Sequence, residues 1–178
     1  MIFKFNDLKK INKEKFSLIL FYGKNNNQKK KEFDKLIDNE SEVIKYEERD
    51  LIDRQNEIIE NILSRSLFQK KKIILIKRST DKLLKVIELL ADRNLQDTKI
   101  ILDSEYLEKK SKLRLYFDKN KNCVCVAFYP DNLQTLTKLA QNFFREKKIS
   151  ISNENINLII SKINENNEDL INELEKIE

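Results

Sequence analysis

Four short apolar runs decide what this chain can become: FSLILFY at 16–22, KIILIK at 72–77, KIILD at 99–103 and CVCVAF at 123–128. Such runs are too short for a buried helix. They also lack the polar alternation of a half-wet strand, so each reads as a strand buried on both faces. Between them lie segments of helical period. Residues 25–39 are lysine-rich but carry Phe33, Leu36 and Ile37 at helical spacing. Residues 51–63 are expected to bring Leu51, Ile52, Ile58, Ile59, Ile62 and Leu63 to one side of a helix. Segments 81–90 and 109–117 read as further helices, with Asp81 at the positive end of the first, and 42–46 is a weaker strand candidate. Strands alternating with helices imply an α/β fold: a mainly parallel sheet with helices on both faces.

Pro130, the one proline, marks a change of period. Only helical patterns follow it, at 132–146, 153–164 and from 168 onward, with Asn153 expected as N-cap of the second. The chain is therefore expected to hold an α/β domain over 1–130 and a small helical subdomain over 131–178. With 40% hydrophobic residues in 178, both can bury a core despite 37% charged residues. A net charge of +5 admits a nucleic-acid partner. The lysines fall in scattered clusters at 29–31, 70–72, 109–110 and 147–148, however, which favours a solvated surface over a dedicated binding face.

The chain has no His and no Trp, which removes the commonest general base and metal ligand. Cys123 and Cys125, one residue apart, are expected on opposite faces of their strand and so unable to pair. A C-x-C without a further Cys or any His cannot complete a four-ligand zinc site, and both are assigned to the core. The first eight residues alternate apolar with charged, and no segment reaches the 18 apolar residues of a membrane helix. A soluble, cytoplasmic protein without a membrane partner is expected.

The loop after the first strand stands where a phosphate-binding loop would stand. A phosphate cradle needs G-x-x-x-x-G-K-[ST], in which backbone amides wrap the phosphates, the lysine reaches the outer ones and the hydroxyl holds magnesium. Gly23, Lys24 and Lys29 occupy that frame, but Gln28 replaces the second glycine and Lys30 the hydroxyl residue. Gly23 is the only glycine in the chain, so no substitute loop exists elsewhere. Neither a cofactor nor ATP hydrolysis is expected. Asp103, an acid ending an apolar strand, superficially resembles a magnesium-ordering carboxylate, but the preceding strand ends in Lys77 and Arg78. An Asp opening a turn is the better reading.

A different feature resists a simple structural account. Ser66-Leu67-Phe68 lies between the helical segment 51–63 and the strand at 72–77. Adjacent residues at a helix end point about 100° apart, so Leu67 and Phe68 are hard to bury together. Either they close the end of the helix layer, or they form an exposed apolar tip that enters a partner's pocket.

The opening LILFYG, the helix running into Ser-Leu-Phe, the basic strand KKIILIKR, the helix at 109–117 and the final DLINELEKI together resemble the delta subunit of the bacterial DNA polymerase III clamp loader. The resemblance covers the whole chain and rests on the order and spacing of motifs. It implies an AAA+-like, P-loop-type domain with a degenerate nucleotide site, then a helical lid. The subunit it implies is non-catalytic, within a holoenzyme whose overall activity is DNA-directed DNA polymerase. In that family adjacent Leu and Phe enter a hydrophobic pocket of the beta sliding clamp and help open it for loading on DNA during replication. Ser66, Leu67 and Phe68 match those positions.

The family continues into a helical collar domain that meets the gamma/tau and delta-prime subunits. This chain stops near the end of the lid, so a fragment is expected, with DNA contacted indirectly or weakly. Ser64-Arg65 is not the arginine finger of the related ATPase subunits, whose motif falls later. An active P-loop NTPase and a basic nucleic-acid-binding module are the alternative readings.

Overall fold

The sheet grows from the apolar runs outward. In the computed structural model, which describes residues 2–4, 15–64, 71–93, 95, 97–163 and 167–177, six strands form one parallel sheet. They are β1 (Ile2–Lys4), β2 (Leu18–Tyr22), β3 (Ser41–Glu47), β4 (Lys71–Lys77), β5 (Thr98–Ser104) and β6 (Cys123–Ala127), in the order β1-β6-β2-β5-β4-β3. The five expected strands are all present and all parallel; the edge strand β1 was not anticipated. β2 and β6 are buried along their whole length, as uninterrupted apolar runs require.

Helices cover both faces. On one face, α2 (Glu48–Asp53), α3 (Gln55–Leu63), α4 (Leu84–Ala91) and α5 (Lys112–Lys119) bury Leu51, Ile58, Ile62, Ile87, Leu113 and Phe117 against Leu20, Ile74, Ile100 and Cys125. On the other, α1 (Asn26–Asp34) sets Phe33 against Ile19, Phe21, Ile73, Leu75 and Val124. The chain divides into two compact units, Met1–Phe128 and Tyr129–Glu178. The second is helical: α6 (Leu133–Glu146), α7 (Asn153–Ser161) and α8 (Asn167–Glu175) meet through Leu136, Ala140, Phe144, Ile156, Ile160, Leu170 and Leu174.

Three local expectations are corrected. The segment 51–63 is not one helix, because the backbone at Arg54 leaves helical geometry (φ −124°, ψ 43°) and separates α2 from α3. Ile52 and Leu63 consequently face solvent, at 45% and 36% exposure, instead of joining the apolar side. Cys123 and Cys125 lie on the same face, both in the larger core, because side chains two apart on a strand point the same way. Both are free thiols. Strand rise sets their Cα atoms about 6.7 Å apart, at the far edge of disulfide reach. Burial pushes the thiol of Cys123 up to about 11 and that of Cys125 up to about 12. The N-cap of α7 is Ser152, whose side chain accepts from the amide of Asn155; Asn153 is the first helical residue.

Asp81 opens a single 3₁₀ turn, Asp81–Leu83, ahead of α4. Its carboxylate nevertheless serves another helix, accepting from the amides of Lys112 at 3.1 Å and Leu113 at 3.0 Å at the start of α5. Thr80 caps its own turn.

Candidate nucleotide-site remnant and the root of the α3–β4 connection

β2 ends at Tyr22, and only Gly23, Lys24 and Asn25 separate it from α1. In a phosphate loop the amides of this stretch point at the ligand. Here they point inward. The amide of Gly23 donates to the Ser104 carbonyl at 3.1 Å, and that of Asn25 to the Phe128 carbonyl at 3.3 Å. The amide of Asn26 donates to Lys24 O at 2.9 Å and that of Lys29 to Asn25 O at 3.1 Å, while the Asn25 side chain accepts from the amide of Gln28 at 3.2 Å. Asn26, Asn27 and Gln28, which would be loop in a phosphate cradle, are therefore already helix. Without a glycine at 28 and with a capping Asn at 25, the helix begins early and takes up the donors.

Gly23 is required by space and by conformation. Its φ is +125°, and a Cβ there would lie 2.0 Å from the carbonyl oxygen of Phe128. The sole glycine lets the β2–α1 turn pass against the end of β6.

Lys29 emerges from α1 with its side chain 4% exposed and its ammonium 2.6 Å from Asp103 Oδ1. It also donates to the Ser104 carbonyl at 3.2 Å. Asp103 is 30% exposed and sits on β5, adjacent to β2 in the sheet. The helix following β2 packs on one face and the helix following β5 on the other, so Lys29 and Asp103 meet at a topological switch point. Open α/β sheets bind their ligands in the crevice at that place. The two groups that a nucleotide and its magnesium would use are thus joined to each other. Beside them opens a cleft of about 430 Å³, rimmed by Lys30, Lys45, Lys77 and Arg78 and by Asp34 and Glu105. With Lys29, Glu47 and Asp103, which also line it, five cations face four acids there, and Lys24, Lys30, Lys77 and Arg78 are solvent-exposed. Among the described residues no group of three His, Cys, Asp or Glu is placed to hold a metal, and no helix is long and apolar enough to cross a membrane.

Ser66, Leu67 and Phe68, with Ser64-Arg65 partly, fall at a connection whose residues 65–70 lie outside those described. The structure does define its two roots. Ser64 closes α3 in extended conformation, its amide donating to the Glu60 carbonyl at 2.8 Å. Lys71 begins β4, and its neighbour Lys72 reaches back to the end of α3. Sequence reasoning placed Lys72 at the start of a strand and in a basic cluster, and did not pair Lys29 with Asp103. The available signal was a lysine directly before the buried run Ile73–Ile76.

No known protein family matches the sequence, and no curated protein matches it. Solved structures do. The DNA clamp loader delta protein (YqeN) of Bacillus subtilis is similar with a TM-score of 0.63 at 15% identity, over 97% of this chain and 56% of that one. Domain III of the replication initiation protein DnaA of Thermotoga maritima is similar with a TM-score of 0.50 at 15% identity, over 93% of this chain and 76% of that one. This chain spans little more than half the length of the clamp loader delta protein. The likeness is one of fold: a parallel α/β sheet flanked by helices, shared with these two proteins.

Proposed function

We propose that this chain is the clamp-binding portion of a delta-type clamp-loader subunit. It holds the DNA polymerase III sliding clamp through Ser66, Leu67 and Phe68 and helps open the ring for loading onto DNA, without hydrolysing ATP. The observation that carries this reading is the likeness of 97% of the chain to a clamp loader delta protein. The sequence adds adjacent Leu and Phe in the connection between α3 and β4. Burying two such side chains in a partner's pocket is worth on the order of 3 to 6 kcal/mol, enough to anchor an interface.

The non-catalytic half of the proposal draws support from Lys29, whose ammonium is held by Asp103 where a triphosphate would need it. On this reading the gamma/tau and delta-prime subunits are the other partners, DNA is contacted indirectly or weakly, and the setting is the cytoplasm.

The test is direct binding to the sliding clamp of the same organism. Saturable binding that is indifferent to ATP and magnesium is expected; absence of binding contradicts the proposal. A calorimetric titration with ATP and magnesium is expected to release no heat of binding. Micromolar affinity, or turnover abolished by Lys29→Met, would return the chain to the NTPase reading.

A further inference from the structure

β3 is the last strand of the sheet, with β4 on one side of it and no strand among the described residues on the other. Its seven residues pair with Lys71–Lys77 in unbroken register, with no bulge, glycine or proline. In a parallel ladder successive residues turn their amides and carbonyls alternately to the two sides of the strand. Three hydrogen bonds fix the direction of each residue here. The amide of Lys72 donates to Asp97 O at 2.7 Å, at the start of β5. Ile73 and Leu75 therefore face β3 and bond its even-numbered residues, Glu42, Ile44 and Tyr46. The amide of Ser41 instead meets Asp38 O at 3.1 Å, and that of Glu47 meets Asp50 Oδ2 at 3.0 Å, both outside the ladder. The odd-numbered residues of β3 thus look outward. At its two ends these outward amides are satisfied locally; in the middle, those of Val43 and Lys45 have no partner among the described residues.

An open backbone edge is a template for a further strand, and the charges along it decide which strands are admitted. The side chains of β3 divide by parity. Val43 and Lys45 stand on the α1 face, where Val43 packs against the core that holds Ile73 and Leu75 and Lys45 lines the cleft with Lys30 and Lys77. Ile44 and Tyr46 stand on the opposite face, half-buried against the larger core. Within the cleft Lys29 is paired with Asp103, and Arg78 with Glu47 at 3.1 Å, which leaves Lys30, Lys45 and Lys77 to set against Asp34 and Glu105. A second copy of β3 would bring another lysine to this edge. A segment with a carboxylate opposite Lys45 brings a counter-charge instead. We infer that the outer edge of β3 accepts an extended segment of a partner protein as an added strand. The amides of Val43 and Lys45 bond its backbone. The segment sets acidic side chains beside Lys45 on the α1 face and apolar ones beside Ile44 and Tyr46 on the other. This edge is separate from the α3–β4 connection, and the inference does not depend on the clamp-binding reading.

The experiment titrates the whole chain with a capped peptide that alternates glutamate and valine, and follows hydrogen exchange at single amides of β3. Exchange at Val43 and Lys45 is expected to slow about ten-fold at saturation, while Ile44, already bonded within the ladder, changes little. A peptide with lysine in place of glutamate is expected to bind at least about ten-fold more weakly, since like charges set opposite one another repel. Lys45→Glu should reverse that preference, and because Lys45 is solvent-exposed the variant should keep its thermal midpoint. The glutamate peptide methylated at the backbone nitrogens along one edge tests strand pairing without altering the protein, and is expected not to bind. Unslowed exchange at Val43 and Lys45 in about 1 mM glutamate peptide, a concentration that detects even weak binding, would overturn the edge as a docking site. Equal affinity for the glutamate and lysine peptides would overturn the acidic partner, and binding of the methylated peptide would overturn backbone pairing. Protection of Val43 and Lys45 that rises with protein concentration in the free chain would assign the edge to a second copy and overturn the inference.

Discussion

The two ends of the sheet handle a buried lysine in opposite ways. At the C-terminal end of the strands, where α/β proteins place ligands, Lys29 is matched to Asp103 and the loop amides to backbone carbonyls. At the N-terminal end, Lys72 is matched to carbonyls of a helix terminus. The first arrangement satisfies the lysine with a counter-charge beside an open cleft. The second ties the residue at which α3 ends to the strand that follows the connection. The difference is one of partner: a carboxylate beside a cleft at one end, uncharged oxygens of a helix terminus at the other.

The contrast can be broken most forcefully at Gly23. Gly23→Ala forces a Cβ to within 2.0 Å of Phe128 O at a positive φ, and should cost about 3 kcal/mol or more. A fall of about 10 °C in thermal midpoint is expected for a unit of this size. A midpoint within 2 or 3 °C of wild type, roughly 1 kcal/mol, would mean that the turn relaxes and is not fixed against β6.

The ion pair comes next. Asp103→Asn leaves the ammonium of Lys29 buried without its counter-charge and should cost about 2 kcal/mol, less than for a fully enclosed pair because Asp103 is 30% exposed. Lys29→Met should cost less, since the orphaned carboxylate can hydrate. The double variant should recover part of the loss, with a coupling of about 1 kcal/mol in a double-mutant cycle. Strictly additive losses would show that the pair is not a unit.

The smallest effect expected is at Asp38. A hydrogen bond from Lys71, at 2.7 Å, and one from Ser41 lower its carboxyl to about 2. A depressed folded value means that the unfolded chain binds the proton more readily. The contribution of Asp38 is therefore present above the ordinary carboxylate value of about 4 and is lost as pH falls toward about 2. Asp38→Asn should remove a small part of the acid sensitivity between those pH values and change little at neutral pH, since the pair is solvent-exposed. An unaltered acid limb would contradict this assignment.

What the sequence disclosed followed from pattern strength. β2, β4, β5 and β6 were legible because runs such as LILFY and IILI admit few other readings. β1 has only three residues, and too little pattern to register. The break at Arg54 has no glycine or proline to announce it and follows from tertiary packing, which places Leu51 and Ile58 inward and Ile52 outward. Ser152 and Asn153 are both good capping residues, so a one-residue slip at α7 was within what capping chemistry decides. At the site, Gln28 and Lys30 could be seen to depart from a phosphate loop. The pairing of Lys29 with Asp103 spans 74 residues and the grip of Lys72 on Ser64 depends on register, neither of which local period encodes.

The central claim, that binding resides in the α3–β4 connection and not in the nucleotide-site remnant, is tested most directly by Leu67→Ala combined with Phe68→Ala. Clamp affinity and thermal midpoint are measured together on this variant and on wild type. An exposed anchor loses contact area only in the complex, so affinity should fall by at least about a hundred-fold while the midpoint stays within a few degrees. Core residues would behave in reverse, because truncating two buried side chains costs about 2 to 5 kcal/mol each and lowers the midpoint sharply. A large loss of midpoint, or unchanged affinity for the clamp, would contradict the account.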